Sequence, residues 1–211
     1  MIYLFCNEAY GRPFRERAVR WARRRRAGLT VVRSGRRRRR GLRRTLEAVG
    51  FRLATGIPLR VVDDVNDAPF ADEAHGIVAG FNQIFSAATI ARFRSLVNFH
   101  PSLLPLYRGP VPSYWCIRNG ETTTGYTLHR ISERIDDGEI LYQETVRIAA
   151  HRDAGRTDRE IAERAAVQLE CYLDRLWAGE AWTEVRRLDA HAVYREHVGY
   201  RSFPRVEGAR E

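Results

Sequence analysis

The sequence predicts an α/β chain built on a doubly wound, mostly parallel sheet, and three observations point there. Short apolar runs rich in β-branched residues recur along the first hundred positions, as in IYLFC, LTVVRS and LVNFH. Segments at helical spacing separate them, and turns carrying Gly and Pro bound them. Strand, helix, strand is the unit from which a parallel sheet is assembled, because parallel neighbours need a long crossover.

In chain order, IYLFC (2–6) has strand length and is followed by a polar stretch holding Gly11 and Pro13, after which residues 14–26 take helical spacing. LTVVRS (29–34) reads as the second strand and 41–54 as a helix. LRVVDDV (59–65) and HGIVAGF (75–81) read as strands, AATIARFRS (87–95) as a short helix and LVNFH (96–100) as the next buried strand. Beyond a turn, 114–121 reads as a short helix, and 125–131 and 140–148 as strands that pair as a hairpin or lie as neighbours. Thr157 and Glu160 have capping-box spacing, and Ile161, Ala165, Leu169, Tyr172, Leu173 and Leu176 recur on one helical face before Gly179. Residues 181–211 read as a short strand or two with an irregular tail, which divides the chain into a main domain over 1–180 and a C-terminal extension over 181–211. The pattern is Rossmann-like, and such sheets bind ligands beyond the carboxyl ends of their strands.

The chain has 211 residues, 44% of them hydrophobic, enough for one large domain with a proper core. No run approaches the roughly 20 apolar residues of a membrane span, and no basic leader precedes the first apolar run, so a cytoplasmic protein without a membrane partner is expected. Cys6, Cys116 and Cys171 are odd in number and lack C-x-x-C spacing. Reduced core thiols and no metal are expected, with Cys116 as a nucleophile the minor alternative.

The net charge is +10, and all 36 basic residues are arginine. Wholesale use of one basic residue reflects nucleotide composition more simply than selection at each site. The blocks RRRR (23–26) and RRRRR (36–40) could track nucleic-acid phosphates, could be a solvated helix end and connection, or could meet an anionic small substrate. The second reading is preferred, and nucleic acid is not the expected partner.

The chemistry concentrates in VNFHPSLLPLYRG (97–109). Positions two apart on a strand share a face, so Asn98 and His100 project together where the strand ends. An amide donor beside an imidazole suits a developing oxyanion, although a buried histidine with a satisfied neighbour has the same spacing. Pro101 and Pro105 stiffen the exit, and Ser102 can bond local backbone. Asp136 and Asp137 precede Gly138 in IDDGE, which is either only a turn or a source of a carboxylate that charges the histidine.

NFHPSLLPLYRG, P-x-x-W (112–115), NGE (119–121), G-x-T-x-H (125–129) and D-x-G-x-I (136–140) together resemble the N10-formyltetrahydrofolate-dependent formyltransferases. That family includes the methionyl-tRNA, glycinamide ribonucleotide and sugar N-formyltransferases. The resemblance spans about residues 75–148 and implies the formyltransferase fold, with N10-formyltetrahydrofolate as formyl donor and cosubstrate. It implies Asn98, His100 and Asp136 as catalytic residues around the formyl group. It further implies Gln83, Ile84, Phe85, Leu104, Ile131 and Ile135 in the folate pocket, and Ser102, Arg108, Gly109 and His129 toward the substrate.

The glycine-rich phosphate loop of the glycinamide ribonucleotide enzymes is not evident in CNEAYGRPF. With 63 residues after 148, the long C-terminal tRNA-binding domain is not expected, and with a strand at residue 2 neither is the N-terminal domain of the folate hydrolases. YRGPVPSYW looks closer to the sugar and tRNA branches, and GYRSFPR (199–205) is faintly similar to a sugar N-formyltransferase segment. The expected partner is therefore a small-molecule amine, first an amino sugar nucleotide, then an ornithine-like or other natural-product amine. Transfer of the same formyl group to water is the hydrolase alternative, and a homodimer is left open.

Overall fold

The structure, a computed structural model, describes residues 1–35, 42–149, 153–180, 182 and 187–193. The arginine block 36–40, the segment 199–205 and most of the expected C-terminal extension lie outside the described residues.

Seven strands form one sheet in the order β3-β2-β1-β4-β5-β6-β7. They are β1 (Ile2–Cys6), β2 (Leu29–Ser34), β3 (Leu59–Val62), β4 (Ala74–Ala79), β5 (Phe93–His100), β6 (Thr123–Arg130) and β7 (Ile140–Arg147). The first five are mutually parallel, and β6 and β7 pair antiparallel. This is the expected doubly wound, mostly parallel sheet, with the last two strands a hairpin. β1 is buried along its whole length. Ile2, Leu4 and Cys6 join the core on one face, while Tyr3 and Phe5 join the core on the other. Such two-sided burial explains a continuous apolar run where an exposed sheet would show alternation.

The helices are α1 (Glu8–Arg25), α2 (Leu42–Thr55), α3 (Ala87–Ala91), α4 (Pro112–Arg118), α5 (Ala154–Ala178) and α6 (Ala190–Val193). α1 and α5 pack together over one face of the sheet. The Trp21 indole donates to Asp174 at 2.8 Å, and Arg25 pairs with the same carboxylate at 3.0 Å. Arg24 and Arg17 both lie near Glu170, at 3.8 and 3.5 Å. Half of the first arginine block is thus engaged in helix-to-helix ion pairs.

Several boundaries differ from the sequence expectation. α1 runs straight through Gly11 and Pro13 from residue 8, where a polar connection was expected. The reason is close packing: a Cβ on Gly11 would sit 2.5 Å from Cys6 Cβ and 2.8 Å from the Ala79 carbonyl. Glycine lets the helix lie against the ends of β1 and β4. α5 is capped by Asp153, which accepts from the Arg156 amide at 2.7 Å, and not by Thr157. Thr157 is buried inside the first turns with its hydroxyl on the Asp153 carbonyl. α3 ends at Ala91 because Phe93 joins the aromatic cluster of Tyr3, Phe5 and Phe70 as the start of β5. Cys6 and Cys116 are buried as expected, but Cys171 is exposed on α5, which corrects its assignment to the core. Where strands were expected after residue 181, the described residues hold the short helix α6. Trp182 stacks edge-on to Tyr142, and the Leu188 amide donates to Gln143 at 2.9 Å. No helix among the described residues is long and apolar enough to cross a membrane.

Gly11→Ala tests the close approach of α1. Because the contacts are to a fixed Cβ and a backbone carbonyl, we expect a loss of about 1–3 kcal/mol in chemical denaturation.

Candidate active site

The sheet reverses its winding between β1 and β4, and the crevice beyond their carboxyl ends opens into a cavity of about 520 Å³. Asn98, His100 and Asp136 all line it. Three structural features bring them together.

First, β5 places Asn98 and His100 on one face, while Val97 and Phe99 enter the core shared with α1 and α5. Second, β6 runs antiparallel to β5, with Asn98 opposite His129. The Asn98 Nδ2 and His129 Nε2 atoms meet at 3.1 Å. His129 Nδ1 faces the Arg130 carbonyl at 2.8 Å, and a carbonyl only accepts, so the hydrogen sits on Nδ1 and Nε2 accepts from the Asn98 amide. Third, the loop from β6 to β7 folds back over the strand ends. Gly138 permits this, since a Cβ there would lie 1.8 Å from the Arg130 carbonyl oxygen. Asp136 takes a left-handed backbone, φ 50°, and turns its carboxylate inward.

Asp136 Oδ2 lies 3.4 Å from His100 Nδ1 and accepts from the Gly109 amide at 2.8 Å. Its Oδ1 lies 3.5 Å from Asn98 Nδ2 and 3.6 Å from His129 Nε2. On its far side, His100 Nε2 meets the Tyr107 carbonyl at 2.8 Å. That carbonyl requires a hydrogen on Nε2, so a proton arriving at His100 lands on Nδ1, between imidazole and carboxylate. Tyr107 is itself held by its hydroxyl, which donates to Glu121 at 2.7 Å and accepts from Asn119 at 3.1 Å. This is a structural account of the NGE motif: its two side chains position the carbonyl that fixes the His100 imidazole.

Burial works against the Asp136 charge, but His100, His129 and the Gly109 amide outweigh it and hold the carboxyl down at about 2. His100 is pulled below its ordinary 6.5 by burial, with Asp136 and the Tyr107 carbonyl opposing and His129 adding to the fall. Both shifts have the same sign for stability. Folding favours neutral His100 and ionised Asp136. The His100 contribution is therefore complete above about 6.5 and lost as pH falls through its lowered pKa, and the Asp136 contribution goes as pH falls toward about 2.

The remaining predicted residues divide. Gln83, Ile84, Phe85, Ile131 and Ile135 line the cavity, as do Gly109 and His129. The Gln83 side chain is occupied, however, accepting from the Val65 amide at 2.6 Å and donating to Ser34 at 2.8 Å. Only its backbone is left for a ligand. Gly109 and His129 contact Asp136 and Asn98, so they belong with the cluster of Asn98, His100 and Asp136.

Three expectations need correction. Ser102 is fully buried and donates to the Leu106 and Tyr107 carbonyls, so it builds the turn and faces no substrate. Leu104 is equally buried, its amide on Thr127 at 3.0 Å, and borders a separate depression of about 360 Å³ behind the Asp136 loop. Arg108 borders that same depression and pairs with Asp137. The turn folds these three away because the Ser102 and Thr127 hydroxyls and Gln143 satisfy its carbonyls from inside.

Sequence reasoning missed Tyr10 and Asp158, which also line the cavity. Tyr10 stands just past the carboxyl end of β1, where the strand-end rule already places ligands. Nothing in the sequence marks Asp158.

Comparison with known proteins now bears on this geometry. A family model described as "Formyl transferase" matches residues 65–171. A methionyl-tRNA formyltransferase from Chlorobium chlorochromatii is 38% identical over 112 residues, 48% of this chain and 34% of that protein. The chain covers between 34% and 41% of such relatives' lengths. Among solved structures, glycinamide ribonucleotide transformylase 1 from Symbiobacterium toebii superposes with a TM-score of 0.66 at 18% identity, over 89% of this chain and 93% of that one. A sugar N-formyltransferase from Shewanella does so with a TM-score of 0.65 at 19% identity, over 90% and 74%. At such identities the superpositions speak for the fold.

The Asp136 carboxylate opposes the fall in the His100 pKa, so Asp136→Asn removes that opposition. In an NMR titration of the imidazole, His100 should titrate below 6.5 in the wild type and lower still in the variant. An unchanged or higher midpoint in the variant would refute the pairing.

Proposed function

The chain belongs to the formyl transferase family, and from that premise we propose that it moves a formyl group from N10-formyltetrahydrofolate to the primary amine of a small acceptor. An amino sugar nucleotide is the acceptor class we favour, on the resemblance of residues 107–115 to the sugar and tRNA branches. One observation carries the reaction class: an amide, an imidazole and a carboxylate converge within 3.5 Å contacts on the wall of one cavity.

The cavity suits the donor. Its volume of about 520 Å³ falls in the usual range for small-molecule sites. Phe81, Ile84, Phe85, Ile131 and Ile135 give it an apolar side, and Ile84 and Ile135 stand 63% and 56% exposed at its rim. Large apolar side chains left in water around a cavity are what a flat aromatic ring would cover.

The donor supplies an activated formyl carbon, and the chain's own groups act around it. Asn98 gives one amide hydrogen to His129, while the other meets Asp136 only at 3.5 Å and can turn to an oxygen on which negative charge develops. His100 takes up at Nδ1 the proton that the attacking amine sheds and returns it to the folate N10 as the bond from N10 to the formyl carbon breaks, and Asp136 stabilises the imidazolium formed in between. The Tyr107 carbonyl and the Gly109 amide keep both partners aimed throughout, so little reorganisation accompanies charge development.

His100→Ala and Asp136→Asn should each lower kcat by about 100-fold or more while the Kd for the folate donor stays near native. The test is incubation with N10-formyltetrahydrofolate and a panel of amino sugar nucleotides and amino acid amines, read as a mass gain of one formyl group. Near-native turnover in either variant would remove that residue from the mechanism. Donor turnover without any amine would point to water as acceptor.

A further inference from the structure

Two polar groups on the cavity wall have no role in the transfer chemistry. Tyr10 of α1 and Asp158 of α5 both line the cavity. The Tyr10 hydroxyl and Asp158 Oδ1 are buried and make no hydrogen bond of ordinary length among the described residues, and the Ser113 hydroxyl of α4 lies near enough to act on the Asp158 carboxyl. An unpaired buried polar group is costly to keep, so a cavity wall that carries such groups suits a ligand able to pair with them. Tyr10 and Asp158 lie close enough to sense each other. Burial pushes the Tyr10 hydroxyl well up, and the Asp158 charge adds to the rise. Burial also pushes Asp158 up, with Ser113 and Arg159 partly opposing.

These groups come from α1 and α5, on the opposite layer from the 81–85 and 131–135 segments that give the cavity its apolar side. The cavity therefore has an apolar wall suited to a ring and a polar wall carrying Tyr10 and Asp158. A carboxylate oxygen accepts hydrogen bonds, and a phenol hydroxyl both gives and accepts. A negative group placed there would meet repulsion from Asp158.

We propose that Tyr10 and Asp158 form the acceptor subsite and select a primary amine whose body carries a further N–H or O–H donor, a hydroxyl or a second ammonium. Bare alkyl amines bring no donor to Asp158 Oδ1, and amines with a phosphate at that end are repelled. This rests on the formyl-transfer reading above.

The experiment measures formyl transfer from N10-formyltetrahydrofolate to glucosamine, 1,4-diaminobutane, cyclohexylamine and glucosamine 6-phosphate, with wild type, Asp158→Ala, Asp158→Asn and Tyr10→Phe. Calorimetry with 5-formyltetrahydrofolate reports donor binding and folding of each variant. Glucosamine or diaminobutane, whichever carries the matching donor, should show a KM about tenfold or more below that of cyclohexylamine. Asp158→Ala should erase that advantage, with Asp158→Asn and Tyr10→Phe giving smaller rises in KM. In all three, kcat should stay within about twofold and the donor Kd near native. Equal KM values in wild type and Asp158→Ala, with transfer intact, would overturn the subsite and leave the reaction class standing. So would donor binding with no formylation of either hydrogen-bonding probe. Neither donor binding nor product would overturn both readings.

Discussion

Everything at the candidate site depends on how His100 is clamped. One ring nitrogen faces the Tyr107 carbonyl and the other the Asp136 carboxylate, so the imidazole can neither rotate nor change tautomer without losing a buried hydrogen bond. The clamp needs both jaws rigid. Ser102, Thr127 and Gln143 tie the turn that carries Tyr107 to β6 and β7, and Asn119 and Glu121 hold the phenol from behind. The other jaw is set by the Gly109 amide, a member of that same turn. A single rigid loop thus aims both the histidine and the carboxylate.

The change from parallel to antiparallel pairing at β5 and β6 is what makes this convergence possible. A parallel neighbour would send its following loop away through a crossover helix, whereas β6 returns along β5 and sets His129 directly across from Asn98. The chain then turns at once through residues 131–139 and lays Asp136 over the strand ends. Cross-strand register, and not sequence proximity, joins Asn98 to His129 and to Asp136.

Much of this was legible in the sequence because the relevant signals are local. A two-residue spacing on a strand fixes which face Asn98 and His100 share, and continuous apolar runs reveal strands buried on both sides. The misreadings share a cause as well. Ser102 and Leu104 sit inside a motif whose Asn98 and His100 line the cavity, but their direction is set by hydrogen bonds to β6 and β7 that no local pattern encodes. Gly11 and Pro13 read as a break, yet the glycine serves the closeness of α1 to β1 and β4, a tertiary demand that overrides helix propensity. Tyr10 and Asp158 come from helices far apart in the chain, and only the folded layer brings them to one wall.

Three residues around the site, Tyr107, Val111 and Asp136, hold φ near +50° without being glycine. For Val111, the residue that starts α4 at the cavity rim, a β-branched side chain makes that conformation a genuine outlier. Backbone held this way costs of order 1–3 kcal/mol and persists only where its surroundings insist on it. A search for heat-tolerant variants would accordingly be drawn to this threshold first, and each relaxation it found there would redraw the opening through which molecules enter.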